Sequence, residues 1–235
     1  MNEQAKKIWE DRYRNDFQIA KWPFDQIISL VMRRFGSIAE REKVKILDYG
    51  CGGGNNFWFL IREGFAGYAC DIASSAIDMT RRRIESVEHV KLDDERYVIL
   101  DGDSLPYPDG YFSAIIDRES LCQSTWDAVK LRVSEFRRIL APEGWYLGMN
   151  FTDHHPDISQ ATHLGGGDYN DFKTGLFKDQ GLRHLFSYTD IMELFSDWSI
   201  DEITLLSQFS MLNHNGFTGS SEFVVAAQVS NKDKS

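Results

Sequence analysis

A cluster of glycines preceded by an acid makes residues 45–54 the segment best suited to bind a ligand. Asp48 is followed at alternate positions by Gly50, Gly52 and Gly54. Glycine allows positive φ angles and lets the backbone approach a ligand more closely than a residue with a Cβ atom can. The helix expected after the glycines offers the unpaired N–H groups of its first turn to an anionic group. The pattern predicts a strand–loop–helix unit that binds a nucleotide or an amino-acid carboxylate.

The glycine spacing argues against a dinucleotide. The G-x-G-x-x-G fingerprint needs a glycine or an alanine at its sixth position. That position is Asn55 when it is counted from Gly50, and Phe57 when it is counted from Gly52. The segment therefore lacks the signature of a nicotinamide-dependent enzyme.

Histidines beside an acid form a second group of candidate catalytic residues. Asp153, His154 and His155 follow the fifth strand that the pattern predicts. A histidine next to an acid is typical of a general base, and we predict this role for His154 or His155. The same three residues with His163 could bind a divalent metal, but adjacent histidines rarely point the same way, so no metal site is predicted.

Alternating strands and helices are expected to position both groups. The pattern predicts helices at residues 4–14, 25–35, 56–63, 74–84, 126–140 and 189–195, with Asp25 and Ser74 or Ser75 as N-caps. It predicts strands at residues 44–49, 67–70, 97–100, 112–117, 144–151, 199–206 and 223–229. This order indicates parallel crossover units in an open α/β sheet. The last two strands lack an intervening helix, which indicates antiparallel pairing at one edge.

Residues 152–187 do not follow this pattern, because they show little periodicity. A loop of this length in a compact domain is usually functional, and its aromatic residues argue against simple disorder. We predict that this segment shapes the substrate site.

Composition narrows the classes of protein that remain. The chain has 235 residues, which suits one domain, and its formal net charge is −10, which disfavours nucleic acid as a partner. No apolar run approaches the length of a membrane span, which is about 18 residues. Its three cysteines lie far apart, which fits a reducing cytoplasm better than a disulfide framework. A cytoplasmic protein without a membrane partner is predicted, and the sequence gives no prediction for its oligomeric state.

The glycine segment resembles the D/E-x-G-x-G-x-G motif of class I S-adenosylmethionine-dependent methyltransferases. The matching residues are Asp48, Gly50, Gly52 and Gly54. An acid at this position makes chemical sense, because S-adenosylmethionine carries a sulfonium and an ammonium group that a carboxylate attracts. The resemblance implies that S-adenosylmethionine is the cofactor and that these four residues contact it.

The resemblance extends to three further strand ends. Asp71, followed by Ile72, ends the second strand, where family members hold the ribose hydroxyls with an acid. Residues 101–112 resemble the family's G-D-A-x-x-L-P-F-P-D-G-S-F-D stretch, which implies that Asp103 and Ser104 contact the adenine. Asp117, at the end of the fourth strand, is the candidate contact for the methionine portion.

The resemblance implies a Rossmann-like, open, mostly parallel seven-stranded sheet that is flanked by helices and has its last strand antiparallel. We predict one methyltransferase domain over residues 1–235, with a helical cap at 1–40 and an inserted substrate-site loop at 152–187. Family members that modify DNA carry an N/D-P-P-Y motif after strand four, whereas residues 117–120 read Asp-Arg-Glu-Ser. A small-molecule acceptor is therefore favoured, with a hydroxyl of a sugar or secondary metabolite as the methylated group. The alternatives are an NAD-dependent oxidoreductase and a non-catalytic scaffold that binds S-adenosylmethionine.

Overall fold

Helices and strands alternate along the chain in the computed structural model, which describes residues 3–15, 21–102, 104–211 and 219–230. The helices are α1 (Glu3–Arg14), α2 (Asp25–Phe35), α3 (Asn55–Arg62), α4 (Ser74–Val87), α5 (Trp126–Ile139) and α6 (Tyr188–Leu194). The strands are β1 (Lys45–Tyr49), β2 (Ala66–Asp71), β3 (Tyr97–Ile99), β4 (Phe112–Arg118), β5 (Leu140–Phe151), β6 (Thr162–Gly165), β7 (Asp168–Asn170), β8 (Arg183–His184), β9 (Trp198–Phe209) and β10 (Gly219–Val229).

Seven strands form the central sheet in the order β3-β2-β1-β4-β5-β10-β9. Strands β1 to β5 pair in parallel, whereas β10 pairs antiparallel with both β5 and β9. The predicted open, mostly parallel seven-stranded sheet with an antiparallel last strand is confirmed. The strand order reverses between β1 and β4, and ligands of such sheets bind outside the carboxyl ends of the strands at that point.

Both faces of the sheet are covered by helices. In β1, Ile46 packs with residues of α2 and α3 on one face, while Leu47 packs with residues of α5 and α6 on the other. Successive side chains of a strand point to opposite faces, so a parallel strand covered on both sides is apolar throughout. None of the described helices is long and apolar enough to cross a membrane.

The helix caps differ from those predicted. Phe24 is the N-cap of α2, and Asp25 is its first residue. Ala73 is the N-cap of α4, while the hydroxyls of Ser74 and Ser75 donate to Glu10 of α1. A tertiary contact with α1 has replaced the local cap.

Residues 152–187 have more regular structure than their sequence suggests. A 3-10 helix spans Pro156–Gln160, and β6, β7 and β8 form a separate three-stranded antiparallel sheet. Each of these elements has at most five residues, which is too short to give a readable period.

One buried carboxylate fixes the turn that follows β4. Asp117 is fully buried, and its Oδ1 accepts from the backbone N–H groups of Ser120 (3.0 Å) and Leu121 (3.1 Å). Its Oδ2 accepts from the Tyr146 hydroxyl (2.9 Å) and from Nδ2 of Asn150 (2.7 Å), both in β5. The four donors hold the end of β4 against β5 and set the path of the chain beyond it.

We predict that Asp117→Asn destabilises the protein, because the amide group would turn a donor toward groups that themselves donate. The free energy of unfolding should fall by at least about 2 kcal/mol, since each unsatisfied buried donor costs about 1–3 kcal/mol. Urea denaturation measures the change. The control is Asp127→Asn, whose side chain is 87% exposed, and it should change stability by less than about 0.5 kcal/mol. Equal stability of the two variants would contradict this account of the turn.

Candidate active site

A cavity of about 360 Å³ opens at the carboxyl ends of the central strands. Its walls come from the ends of β1, β2, β4 and β5, from α1, and from residues 176–183. A smaller cavity of about 80 Å³ adjoins it at the glycine loop. Cavities of a few hundred Å³ hold small molecules.

The glycine loop has the conformation that its sequence predicts. Gly50, Gly52 and Gly54 have φ angles of +65°, +52° and +73°. A Cβ atom on Gly50 would overlap the Ser120 side chain, and one on Gly52 would overlap the Tyr13 hydroxyl. Gly50 lines both cavities and Gly52 lines the smaller one, so backbone without a side chain faces both spaces. Gly54 is the left-handed N-cap of α3.

Asp71 brings a buried carboxylate to the cavity wall. The side chain is only 6% exposed, and its Oδ2 accepts from the backbone N–H of Gly52 (3.0 Å) while Oδ1 accepts from that of Ala73 (2.9 Å). Burial raises the pKa of Asp71 to about 6. The backbone N–H of Ile72 donates to the same carboxylate, and the lone pair that remains can accept from a further hydroxyl. Ile72 lines the cavity beside it.

Asp48 lies beneath the glycine loop and does not form part of either cavity wall. Its carboxylate is buried and accepts from the backbone N–H of Phe57 in α3. Its Oδ2 has no hydrogen-bond partner among the described residues. Burial raises the pKa of Asp48 to about 8. The structure thus gives no direct route from this acid to a ligand, which differs from the predicted contact.

Three other residues predicted to contact the cofactor either do not line the cavity or lie outside the described residues. Asp117 is occupied by its four donors and does not line the cavity, so the prediction of a ligand contact is replaced by a structural role. Ser104 is exposed, and its hydroxyl donates to Glu135 (3.3 Å) rather than facing the cavity. Asp103 lies outside the described residues.

Neither predicted catalytic histidine lines the cavity. His154 is exposed and lies 3.8 Å from Asp153. His155 is buried, and its Nδ1 accepts from the backbone N–H of Asp157 (3.2 Å) as the N-cap of the 3-10 helix. Its ring stacks on Phe177 with 4.1 Å between centroids. Burial, with the nearby charge of Arg183, lowers the pKa of His155 to about 3. Capping and stacking thus already use the His155 side chain, and a histidine base stays a prediction.

Sequence reasoning missed the charged groups of the cavity. Arg118 and Glu119 come directly after Asp117 and pair with each other, and Glu222 of β10 lies 3.7 Å from Arg118. Arg183 lines the same cavity from β8. The position of Arg118 at a strand end could have signalled its role, whereas Arg183 lies in a segment without periodicity. No group of three His, Cys, Asp or Glu that could hold a metal ion occurs in the described part of the chain.

Helix α1 closes one side of the cavity. Trp9 and Tyr13 both line it, and the Tyr13 hydroxyl lies against Gly52. Burial raises the pKa of Tyr13, so its hydroxyl is protonated at neutral pH. Glu10, between them, accepts from Ser74 and from the backbone N–H of Ser75, which fastens α1 to the start of α4.

Comparison with protein families identifies the central part of the chain. A family model described as a methyltransferase domain matches residues 47–148. No curated protein is significantly similar to the sequence.

Solved structures share the fold at low sequence identity. An S-adenosylmethionine-dependent methyltransferase from Methanosarcina mazei has 19% identity and a TM-score of 0.63, over 80% of this chain and 93% of that one. A structure described for the conversion of a disulfide bond into a thioacetal group during echinomycin biosynthesis has 15% identity and a TM-score of 0.70, over 97% and 94%. The 1,6-didemethyltoxoflavin-N1-methyltransferase from Burkholderia thailandensis, with 1,6-didemethyltoxoflavin and S-adenosylhomocysteine bound, has 14% identity and a TM-score of 0.67, over 97% and 88%.

We predict that His155 makes the stability of the fold depend on pH. Its pKa is about 3 in the folded state against an ordinary value of 6.5, so between these values only the unfolded chain binds the proton. The fold should therefore lose stability as the pH falls below 6.5, by up to about 1.4 kcal/mol per unit. His155→Asn keeps an N-cap acceptor and should remove this part of the slope, as denaturation at a series of pH values would measure. The exposed His154→Asn control should keep the wild-type slope, and equal slopes in the two variants would contradict the assignment.

Proposed function

We propose that this chain, in which a methyltransferase domain model matches residues 47–148, is a class I S-adenosylmethionine-dependent methyltransferase that uses S-adenosylmethionine as its cofactor and methylates a small molecule bound in the cavity of about 360 Å³. One observation carries the proposal. The cavity at the carboxyl ends of the strands has the bare glycine loop and Asp71 on one side, and the polar side chains of Arg118, Glu119 and Glu222 on another. One space thus offers a place for both the cofactor and an acceptor.

We assign the cofactor to the loop side of the cavity. A glycine loop whose backbone lines the cavities and a buried carboxylate that can accept a further hydrogen bond fit a nucleoside with an amino-acid tail. Gly50 and Gly52 would hold the amino-acid portion, Asp71 the ribose hydroxyls, and Ile72 an apolar face of the nucleoside. When bound, S-adenosylmethionine supplies a methyl group on a sulfonium, whose S–C bond breaks with its electrons left on sulfur as the acceptor atom bonds the carbon. Trp9 and Tyr13 would exclude water from that space.

A small acceptor is supported by the size of the cavity and by the charge of the chain. Helix α1 lines one side of the cavity, and its volume of about 360 Å³ is typical of a small-molecule site. The net charge of −10 repels phosphate backbones. The Burkholderia relative binds a small heterocycle, which agrees with this class of acceptor.

We propose that the methylated group is a hydroxyl, as the sequence predicts, and that the general base is Glu222 and not His154 or His155. Oε1 of Glu222 accepts from the Ser220 hydroxyl (2.8 Å) and faces Arg118, which leaves Oε2 for the acceptor. The hydroxyl proton would pass to Oε2 as the new O–C bond forms. General bases of this kind contribute about 10²–10⁴-fold to a rate.

The division of the chain follows the same proposal. Residues 1–40 act as a helical cap through α1, and residues 152–187 act as an insertion that completes the acceptor side with Leu176, Gln180 and Arg183. A cytoplasmic location agrees with three buried cysteines that form no disulfide.

We predict that cofactor affinity depends on the ionisation of Asp71. The ionised carboxylate accepts from ribose hydroxyls, and its pKa is about 6, so affinity for S-adenosylhomocysteine should fall about tenfold between pH 7.5 and pH 5. Calorimetric titration at several pH values measures this. Asp71→Asn should bind more weakly with little pH dependence, while the exposed Asp78→Asn control should behave as wild type. A flat profile for the wild-type protein would remove Asp71 from the ribose contact.

We predict that methyl-labelled S-adenosylmethionine transfers its label to small molecules of a cell extract. The label should appear in the acid-soluble fraction and not in precipitated protein or nucleic acid. Glu222→Gln should lower the rate at least about tenfold, because a general base is lost, whereas His154→Gln should leave the rate unchanged. Label in the precipitate would contradict a small acceptor, and no transfer with intact cofactor binding would indicate a scaffold.

A further inference from the structure

Two buried arginines line the cavity, and they differ in their partners. The side chain of Arg118 is 13% exposed and has two carboxylates beside it, Glu119 and Glu222. Arg183 is only 1% exposed, and no carboxylate of the described residues forms an ion pair with it. The charge of Arg118 is therefore compensated within the protein, and that of Arg183 is not.

The groups that contact the Arg183 guanidinium directly are neutral. Its Nη2 donates to Oε1 of Gln180, and its Nη1 lies 3.8 Å from the Cys122 sulfur. Nε has no hydrogen-bond partner among the described residues. The guanidinium also faces the Phe177 ring at 4.3 Å and the Phe151 ring at 5.6 Å from their centroids. Burial raises the pKa of Cys122 to about 11, so its thiol is uncharged at neutral pH.

One acid lies near Arg183 without forming an ion pair with it. The charge of Asp157 acts on that of Arg183, but Oδ2 of Asp157 accepts from the backbone N–H of Phe177 (2.9 Å) and not from the guanidinium. The charge of Arg12 repels that of Arg183, and His155 is neutral. Burial lowers the pKa of Arg183 to about 10, which still leaves the group protonated at neutral pH. A buried cation that no carboxylate pairs with is energetically costly, and an anionic ligand would relieve that cost.

We propose that Arg183 binds the carboxylate of the methyl acceptor, so that the substrates of this enzyme are small organic acids. The inference rests on the proposed function. A guanidinium presents its N–H groups as a planar fork that matches a carboxylate, and Gln180 holds one arm of this fork in place. The aromatic rings beside it exclude water and strengthen the pairing.

The position of Arg183 separates it from the ribose side. Arg183 packs against Phe151 at the end of β5, and Asp71 ends β2, three strands away in the sheet. Neighbouring strands lie about 4.8 Å apart, so the two charged groups are separated by roughly 14 Å across the cavity. If an acid binds Arg183 through its carboxylate, the rest of the molecule lies near the aromatic rings beside Arg183. Such surroundings favour a flat molecule.

The carboxylate of the cofactor is the competing source of the same chemistry, and the test separates the two. Wild-type protein, Arg183→Met, Arg183→Lys and the control Arg82→Met are compared, since Arg82 is exposed on α4 and its loss changes the net charge equally. S-adenosylhomocysteine is titrated first by calorimetry. Sodium benzoate and its neutral analogue benzamide are then titrated at constant ionic strength in the presence of saturating S-adenosylhomocysteine.

We expect benzoate, and not benzamide, to bind the wild type and Arg82→Met. Arg183→Met should lose at least tenfold in benzoate affinity, Arg183→Lys should be intermediate, and S-adenosylhomocysteine affinity should change by less than twofold in all variants. Without ligand, Arg183→Met should unfold at the wild-type temperature or above, because a buried uncompensated charge has been removed.

Three results would overturn the proposal. A loss of S-adenosylhomocysteine affinity in Arg183→Met would show that Arg183 binds the carboxylate of the cofactor and not that of the acceptor. A clear fall in the unfolding temperature of ligand-free Arg183→Met would give the arginine a structural role. Equal benzoate binding in the wild type and Arg183→Met, or none in either, would exclude an anion site at this residue. Failure of the proposed function is distinct, since it would show as no S-adenosylhomocysteine binding by the wild type.

Discussion

The crevice at the carboxyl ends of β1 and β4, where the strand order reverses, depends on the buried carboxylate of Asp117. Its four hydrogen bonds tie the turn after β4 to β5, which brings the Ser120 hydroxyl to the carbonyl of Gly50 (3.2 Å). That contact leaves no space for a side chain on Gly50, so the glycine loop and the β4 turn fix each other's position. The same turn places Arg118 and Glu119 at the cavity wall. A carboxylate that does not line the cavity thus determines where the cavity-lining groups lie.

The cavity built on this turn has two chemically different sides. On one side, Asp71 holds the N–H of Gly52, and α1 lies over both through Tyr13, so the sheet, the loop and the helix meet in one place. On the other side, residues 176–183 bring in Arg183, whose charge has no counter-ion among the described residues. An acid suited to ribose hydroxyls and a cation suited to a carboxylate therefore lie at opposite ends of one space. In the proposed function, this division would let a single cavity bind two molecules in a defined orientation.

The sequence predicted the parts of the structure that depend on local pattern. Short apolar runs predicted the positions of the strands, and the glycine spacing predicted the loop. Both features depend on neighbouring residues only, since side-chain periodicity and positive φ angles are local properties. Position along the chain could not reveal the partners of a side chain. Asp117 ends a strand as predicted, but its donors Tyr146 and Asn150 lie about thirty residues later. The His155 side chain caps a 3-10 helix and stacks on a phenylalanine ring, and Arg183 lies in a segment of very short elements. The surroundings of both residues therefore became visible only in the tertiary structure.

Calorimetric titration of the full chain with S-adenosylhomocysteine, with NADH as the parallel ligand, tests the central claim most directly. That claim is that a glycine loop without the dinucleotide spacing, together with Asp71, forms a site for a nucleoside with an amino-acid tail. The account predicts micromolar binding of S-adenosylhomocysteine and no binding of NADH. Binding of NADH alone would contradict it and would place Asp71 on a nicotinamide ribose instead.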